Sequence, residues 1–452
     1  MFANQVRAAQ RAQFIRLTGR VVSVGAMQID TEGVPLPVGT FVEIDRDAAA
    51  GNAGPLVAQI VALRGGRQRA IPLEEPVGVR VGAEVRNAVG LESVRVGTGM
   101  LGVILDGLGR PIGGQKDFPV EAIYPVQAEP PSALGRRPIA SALPTGIRSI
   151  DAMHTVGTGQ RIGVFAGTGV GKSVLMGMIA KDSAADVIVV ALVGERGREV
   201  GDFIRKDLGE DGLKRCVMVV STSDESPVMR VRAGFVATTV AEYFRDLGGD
   251  VLLMMDSTTR IAMAQREIGL AAGEPPTTKG YPPSTFSLLP RLLERSGQST
   301  EGSITGLYTV LVEGDDINEP ISDAMRGILD GHVWLSRKLA NRGHFPAVSV
   351  LDGVSRVMPD VVSETHLHAA RTVRQVLATW DDIEDLVNLG AYARGTNPEF
   401  DIAVEMKPVI DAFLRQPMDE SANWNETGDS LVALAGNIEE LRSGASRRPR
   451  QA

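Results

Sequence analysis

The sequence predicts an α/β protein with three parts in order: an N-terminal antiparallel β-barrel, a mostly parallel central sheet and a C-terminal α-helical domain. Short β-branched runs broken by glycine, proline and aspartate occupy residues 17–95. Buried strands alternate with helices over residues 96–360, which is the pattern of a parallel sheet. Strand-like runs stop beyond residue 360, so residues 361–452 are predicted to be helical and to end in a basic tail.

Residues 1–16 precede the barrel and form a separate N-terminal segment. A helix here would be weakly amphipathic, with Phe2 and Val6 on one side and Arg7 and Arg11 on the other. A solvated terminus and a helix that docks on a partner or an acidic membrane surface explain this pattern equally well.

Four runs predict strands of the barrel. They are Arg20–Val24, Thr40–Ile44, Val57–Leu63 and Val77–Val81. Aromatic side chains that could stack on bases are scarce in this region, so an oligonucleotide-binding barrel is not favoured. A scaffold is the better interpretation.

A phosphate-binding loop opens the central domain. The apolar run Ile162–Phe165 predicts a strand that enters a glycine-dense loop and then a helix, the order that a P-loop requires. Ala166 stands where the strict pattern has its first glycine. We expect Lys172 to reach the β- and γ-phosphates of a nucleotide and Ser173 to hold Mg²⁺. The predicted nucleotide-binding residues of this loop are Gly167, Thr168, Gly169, Val170, Gly171, Lys172, Ser173 and Val174.

Two acidic residues follow other predicted strands. Asp256 ends the apolar run Val251–Asp256, where an acid can hold Mg²⁺ or its waters. Glu195 comes just after Val187–Val193 and would stand on the same edge of the sheet, where a carboxylate can orient an attacking water. The remaining predicted strands of the sheet are Val217–Ser221, Thr305–Val312 and Ala347–Leu351, and the predicted C-terminal helices are Glu364–Leu389, Val404–Arg415 and Asp429–Arg442.

The composition excludes several classes of protein. A net charge of −8 argues against a basic nucleic-acid surface. No apolar run approaches the ~20 residues of a membrane-spanning helix. The single cysteine, Cys216, lies in a strand-like run, so a buried structural thiol in a reducing compartment is expected. These features predict a soluble, cytoplasmic protein.

Four motifs give the chain a specific resemblance. Gly167–Ser173, Gly194–Glu199, Met255–Arg260 and Val354–Val357 occur in the order and spacing of the catalytic subunits of rotary ATP synthases, whose core is a RecA-like P-loop domain. The likeness extends over nearly the whole chain, including Leu105–Ile112 in the approach to the central domain.

Three longer segments narrow the resemblance to the type III protein export ATPases. They are Ala262–Ser284, Leu288–Gly297 and Glu313–Ile321. The first of them resembles the flagellum-specific branch more than the virulence-secretion branch. The acidic lever loop of the synthase subunit has no close counterpart, and residues 391–401 stand in its place, which favours export over torque-driven synthesis.

The resemblance implies roles for individual residues. Arg356 matches the arginine that a neighbouring subunit inserts toward the γ-phosphate, although an ion pair with Asp352 or Asp360 in its own chain is an open alternative. Met418 stands where the synthase subunits carry another aromatic residue. The implied catalytic residues are Lys172, Glu195, Arg356 and Arg196, and the implied metal ligands are Ser173 and Asp256. The further nucleotide contacts that the resemblance implies are Arg260 near the phosphates, Phe345 against the adenine and Phe413 as a second aromatic residue from the helical domain.

The resemblance also implies a setting. It predicts an ATP-hydrolysing homohexamer that uses Mg²⁺ and works at the cytoplasmic face of a secretion gate, with peripheral membrane association and without nucleic acid. Implied partners are a regulatory or stator protein, a central stalk-like protein, export gate proteins, cargo and chaperones. Alternatives are a virulence secretion ATPase, a rotary ATPase catalytic subunit, a hexameric RNA or DNA translocase and a ring component that binds nucleotide without turnover.

Overall fold

A computed structural model describes most of the chain, namely residues 18–47, 54–115, 117–312, 314, 316 and 319–446. For residues 445 and 446 it describes the backbone only. The predicted docking segment, residues 1–16, lies outside this part, as do residues 447–452 of the predicted basic tail.

Six antiparallel strands form a closed barrel whose order is β1-β2-β5-β4-β3-β6. In β4 the residues Leu56, Ala58 and Ile60 are buried and alternate with half-buried neighbours, as a strand with one face on the barrel interior requires. The predicted strand Val77–Val81 is wrong: this run is a turn, because Gly78 and Gly82 adopt left-handed φ angles of 83° and 87°. The strands are β1 (Thr18–Val24), β2 (Ile29–Glu32), β3 (Phe41–Ile44), β4 (Leu56–Arg64), β5 (Arg67–Pro72) and β6 (Glu84–Asn87).

Three short strands, β7 (Ser93–Val96), β8 (Ile104–Leu105) and β9 (Ala122–Pro125), connect the barrel to the central sheet, together with 3₁₀ turns at Thr98–Met100 and Ala133–Gly135. β7 pairs antiparallel with β9. The division of the chain into domains after residues 95 and 360 stays a proposal, and β7 runs across the first of these boundaries.

Within the described residues, the central sheet has nine strands in the order β17-β16-β10-β15-β13-β11-β12-β8, with β14 beside β15. Its strand pairs are parallel, apart from β16 with β17 and β14 with β15. β16 was not predicted, and it lies between β10 and β17. Besides β8, the strands of this sheet are β10 (Arg161–Ala166), β11 (Val187–Val193), β12 (Cys216–Ser221), β13 (Asp250–Asp256), β14 (Gly297–Gln298), β15 (Ser303–Leu311), β16 (Gly331–Leu335) and β17 (Val348–Ser355).

Helices cover both faces of the sheet. Between α3 and α4 the chain winds as a π-helix, Phe203–Leu208, and a 3₁₀ turn spans Thr278–Gly280. The α-helices of this region are α1 (Arg148–Met153), α2 (Lys172–Asp182), α3 (Gly197–Asp202), α4 (Gly209–Lys214), α5 (Pro227–Asp246), α6 (Thr258–Ala272), α7 (Pro283–Leu293), α8 (Pro320–Ile328), α9 (Arg337–Asn341) and α10 (Met358–Val361).

The two faces of β11 show why this central strand is apolar throughout. Val189, Ala191 and Val193 belong to the core on one side of the sheet. The alternate residues Ile188, Val190 and Leu192 belong to the core on the other side. A parallel sheet with both faces covered has no solvent side, so the strand has no polar positions until it ends. Polar residues are therefore concentrated at the strand ends, where a site can form.

Three helices form the C-terminal region: α11 (Glu364–Asn388), α12 (Pro398–Leu414) and α13 (Trp424–Ser446). Ser363 caps α11, and Asn397 caps α12 ahead of a proline in the first turn. Their shared core includes Met153 of α1 and Val350 of β17, so these helices pack directly on the central domain. The predicted fold class is confirmed. Within the described residues, the helices are too short or too polar for any of them to cross a membrane.

The thiol of Cys216 offers a test of this core. Cys216 is fully buried in β12, and burial raises the pKa of its thiol to about 12. We expect Ellman's reagent to leave the native protein unmodified at pH 8 and to label one thiol per chain in guanidinium chloride. The chain has one cysteine, so the signal is unambiguous. Labelling of the native protein at the rate of the denatured chain would contradict the burial of β12.

Candidate active site

The loop between β10 and α2 has the shape of a phosphate cradle. Gly169 and Gly171 adopt φ angles of 77° and 94°, which a residue with a Cβ adopts only under strain. Val170 is buried and anchors the loop between them. Lys172 begins α2, so the backbone N–H groups of the first turn and the positive end of the helix face the same space.

Four neighbouring strands each bring one polar side chain to this edge of the sheet. Lys172 follows β10, Thr309 lies in β15, Asp256 ends β13 and Glu195 follows β11, in the spatial order of those strands. Lys172 donates a hydrogen bond to Asp256 Oδ1, and Thr309 Oγ1 donates to the same oxygen at 2.7 Å. Lys172 Nζ lies 3.9 Å from Glu195 Oε1. The structure thus brings together three of the five charged residues that the sequence predicted for catalysis and metal binding, namely Lys172, Glu195 and Asp256.

Glu195 is the electrostatically unusual member of this group. Burial raises the pKa of its carboxyl to about 7; the nearby Lys172 ammonium opposes that shift and the Asp256 carboxylate adds to it. Its Oε1 is buried and has no hydrogen-bond partner among the described residues. A carboxylate oxygen left free at a phosphate loop can accept a hydrogen bond from a water molecule.

Arg260 and Arg196, which were predicted to lie near the nucleotide, occupy different positions. Arg260, in the first turn of α6, lies against Gly194, where an added Cβ would come within 2.7 Å of the Arg260 Cβ. The side chain of Arg196 is 83% exposed and approaches Glu199 at 3.9 Å. The structure therefore places Arg260 beside the turn that carries Glu195 and directs Arg196 toward solvent.

The predicted base contacts lie on two elements. Phe345 is 46% exposed, and its ring lies beside the phosphate loop, since a Cβ added to Gly171 would be 3.7 Å from its Cδ1. Phe413 is half-buried against the core of the C-terminal helices. Met418 is 68% exposed. Phe345 and the phosphate loop thus form one surface, and Phe413 belongs to the helical region.

Arg356 lies at the other end of the sheet. Its backbone N–H donates to Asp330 O, and the backbone N–H of Asp330 donates to Arg161 O at the start of β10. The phosphate loop begins where β10 ends, about 16 Å farther along at ~3.3 Å per residue. The Arg356 guanidinium donates to Leu329 O at 3.1 Å. Arg356 is therefore remote from the phosphate loop of its own chain.

The ion pairs considered for Arg356 from the sequence are not formed in the described part of the chain. Its guanidinium contacts the carbonyls of Leu329 and Arg326. Asp352, one of the two considered partners, accepts a hydrogen bond from Ser349 Oγ at 2.6 Å. Arg356 is exposed, and its position leaves the guanidinium at the surface.

The residues at this edge fit Mg²⁺ bound together with phosphates. The described residues hold no group of three or more histidine, cysteine or acidic side chains that could form an all-protein metal cage. Mg²⁺ needs only one or two protein oxygens when phosphates supply others. Ser173 offers an exposed hydroxyl in the first turn of α2, and Asp256 a carboxylate that Lys172 already neutralises in part.

Two residues at this edge were not predicted. Thr309 positions Asp256, and Arg337 donates to the backbone carbonyl of Thr168 in the phosphate loop at 3.0 Å. Arg337 follows β16, a strand that the sequence analysis missed. Thr309 is fully buried inside β15, where a threonine carries no sequence signal of its own.

Comparison with known proteins agrees with this arrangement. Residues 146–355 match the nucleotide-binding domain of the ATP synthase alpha/beta family, and residues 362–433 match the C-terminal domain of the type III secretion ATPase EscN. The chain is 50% identical to the flagellum-specific ATP synthase of Bacillus subtilis, over 93% of this chain and 96% of that protein. It belongs to the flagellar and type III secretion ATPase family.

Other members of the family are similarly close. A type 3 secretion system ATPase of Xanthomonas euvesicatoria is 45% identical over 93% of this chain and 94% of its own length. The assembled ATPase EscN of enteropathogenic E. coli superimposes with a TM-score of 0.87 at 42% identity and covers 92% of this chain and 100% of that one. EscN in complex with its central stalk EscO gives a TM-score of 0.83 over the same fractions. The protein is thus a P-loop ATPase of the type III export family, and its substrate is a nucleotide.

Replacing Thr309 by valine tests how Asp256 is positioned. The change keeps the shape of the side chain and removes the hydroxyl that donates to Asp256, a loss of about 1–2 kcal/mol. We expect kcat/KM for ATP to fall roughly five- to thirty-fold.

Thr305→Val is the matched control, because Thr305 is buried in the same strand and its hydroxyl accepts from Gly159 N, away from the site. The control should lower the melting temperature without lowering turnover of the folded protein. Equal losses of activity in both variants would show that Thr309 acts only through folding.

Proposed function

We propose that this ATPase hydrolyses ATP to ADP and phosphate to energise or prime flagellar protein export at the cytoplasmic face of the secretion apparatus. The observation that supports hydrolysis is the position of Glu195, whose buried oxygen has no described partner and lies 3.9 Å from Lys172. A site that only bound nucleotide would not need a buried carboxylate oxygen without a hydrogen-bond partner at its reacting end.

Each residue of the site has a proposed part in this reaction. The loop Gly167–Gly171 and Lys172 bind the phosphates, and Glu195 accepts a hydrogen bond from the attacking water and orients it. Ser173 and Asp256 would hold Mg²⁺, which neutralises charge on the phosphates when bound. Phe345 packs against the adenine. The position of Arg260 beside Gly194 supports a phosphate contact, whereas Arg196 is exposed and has the weakest support.

The proposed site is shared between subunits. Backbone hydrogen bonds through Asp330 connect Arg356 to the start of β10, about 16 Å of strand before the phosphate loop, which supports a role for its guanidinium at the site of another chain. EscN, with which this chain shares its fold, has been solved as an assembled ATPase. A homohexamer in which Arg356 stabilises charge at the neighbour's γ-phosphate accounts for both facts.

The partners follow from relatives and are part of the proposal. EscN has been solved with its central stalk EscO, which supports a stalk-like partner for this ring. A stator or regulatory protein, export gate proteins, chaperones and cargo are proposed from the family, together with a peripheral position at the cytoplasmic membrane. The segment 1–16 remains a candidate docking element. Nucleic acid is not expected as a partner, given the net charge of −8.

Glu195→Gln tests the proposed role of Glu195. The amide keeps the shape of the side chain but lacks the charge that polarises water, so turnover should fall by about 10²–10⁴ while MgATP still binds. Single-turnover hydrolysis and nucleotide binding measured on the same preparation separate the two effects. Loss of binding together with a lowered melting temperature would instead indicate a structural role.

Mixing two inactive variants tests the shared site. Rings made only of Lys172→Ala or only of Arg356→Ala subunits contain no complete site. In a randomly mixed ring of equal parts, about a quarter of the interfaces join an intact Lys172 to an intact Arg356. Activity should therefore return on mixing subunits that exchange. Exchange is verified with labelled subunits, and exchange without recovered activity would argue that Arg356 acts within its own chain.

Pull-down from cytoplasm and membranes tests the export role. The expected companions are export gate proteins and cargo chaperones of a flagellar system. Co-purification of proteins of a virulence secretion apparatus would instead assign the protein to the virulence-secretion branch of the family. Activity stimulated by single-stranded RNA, or a requirement for a second, non-catalytic ring subunit, would contradict the export function.

A further inference from the structure

The loop that carries Phe345 is held in place by the C-terminal helices. Phe345 itself belongs to the connection between α9 and β17, but its carbonyl accepts a hydrogen bond at 3.0 Å from the backbone N–H of Gln416, just beyond α12. Gln416 is buried and is fixed in turn: its Nε2 donates to Gly146 O at 2.8 Å and its Oε1 accepts from Arg148 N at 2.7 Å.

A buried carboxylate on α11 holds the other side of the same loop. Glu384 accepts hydrogen bonds from Lys338 Nζ and Arg342 Nη1. Its side chain is 7% exposed, whereas those of Lys338 and Arg342 are about half exposed. Two residues, Gly343 and His344, separate Arg342 from Phe345, so the position of Arg342 limits where the ring of Phe345 can lie.

The charges around Glu384 favour its ionised form. Burial alone would raise the pKa of this carboxyl, but the hydrogen bonds from Lys338 and Arg342 lower it below its usual value. The pKa of Lys338 is raised, chiefly by its hydrogen bond to Glu384. A third contact lies nearby, since Asp411 of α12 approaches His344 Nδ1 at 3.8 Å. The C-terminal helices thus hold the residues before Phe345 chiefly through Glu384 and Lys338, whose pKa shifts both favour the charged form.

We propose that Glu384 is a positioning residue for the nucleotide base. It holds α9 and Arg342 against the C-terminal helices and so keeps the Phe345 ring beside Gly171 of the phosphate loop. This inference rests on the proposed contact between Phe345 and adenine. Glu384 touches neither the phosphates nor the reacting atoms in this arrangement, so its effect is on the binding of the base.

Glu384→Gln tests this role by separating base binding from phosphate chemistry. The amide is nearly isosteric but carries no charge for Lys338 and Arg342. Both cations are about half exposed and can be solvated, and Lys338 keeps a second, exposed partner in Asp381 at 3.8 Å. We expect the KM for ATP to rise about three- to ten-fold with kcat within about two-fold, the pattern of a lost binding contact. Inorganic tripolyphosphate, which has no base, should inhibit the variant and the wild type with the same inhibition constant.

The matched control is Asp382→Asn, two residues away on the same helix. Asp382 is exposed and forms no ion pair within the described part of the chain, so the substitution removes one charge from α11 without changing the loop. Its kinetic constants should equal those of the wild type. A rise in KM for Asp382→Asn would indicate that Glu384→Gln acts through the net charge of α11.

A double-mutant cycle with Phe345→Ala connects the two residues. If Glu384 acts through Phe345, adding Glu384→Gln to Phe345→Ala should cause no further rise in KM. Additive rises, or a changed inhibition constant for tripolyphosphate, would overturn the positioning role.

The cycle also distinguishes failure of this inference from failure of the proposed function. A normal KM for Phe345→Ala would contradict the base contact itself and, with it, the positioning role. A raised KM for Phe345→Ala with a normal KM for Glu384→Gln would overturn only the role of Glu384. If Glu384→Gln does not fold, Arg342→Gln serves as the same test. This substitution leaves Lys338 paired with Glu384 and removes the ion pair of the cation that is closer in sequence to Phe345.

Discussion

The ion pair between Lys172 and Asp256 is the interaction on which the candidate site depends. A carboxylate as buried as Asp256, whose side chain is 5% exposed, is costly unless a cation and a hydrogen-bond donor accompany it. Lys172 is that cation, and Thr309 supplies the donor. The pair therefore fixes the start of α2 to the end of β13 and holds the phosphate loop against the sheet. It also sets the charges that Glu195 experiences.

The order of the strands explains why four residues that are distant in the sequence meet. Parallel strands end at the same edge, and β10, β15, β13 and β11 are neighbours there. The same geometry separates Arg356 from them, since it lies where β10 begins. The carboxyl ends of the strands thus carry the phosphate loop, and the opposite ends carry Arg356. In a ring, Arg356 of one subunit can lie beside the phosphate loop of the next.

Much of this arrangement could be predicted from the sequence, for physical reasons that concern strand ends. β11, and β13 from Val251 onward, are buried on both faces and apolar until they end, so the first polar residues after Val187–Val193 and within Val251–Asp256 marked the site edge. The strand Gly331–Leu335 was missed because histidine and tryptophan interrupt the expected aliphatic run, and Arg337 was missed with it. Thr309 and Glu384 act through contacts with residues far along the chain, and such contacts leave no local pattern.

The short strand β8 determines where the chain can be truncated to isolate its catalytic core. It covers the middle of β12 by pairing Ile104 with Met218 and Leu105 with Val219. β12 is buried along its whole length, with the sequence Cys-Val-Met-Val-Val-Ser. A fragment that began at residue 146, where the likeness to the nucleotide-binding domain begins, would lack β8 and expose an apolar edge strand to other chains. A fragment that begins at residue 146 should therefore aggregate, whereas a fragment that begins before residue 104 keeps β8 paired with β12.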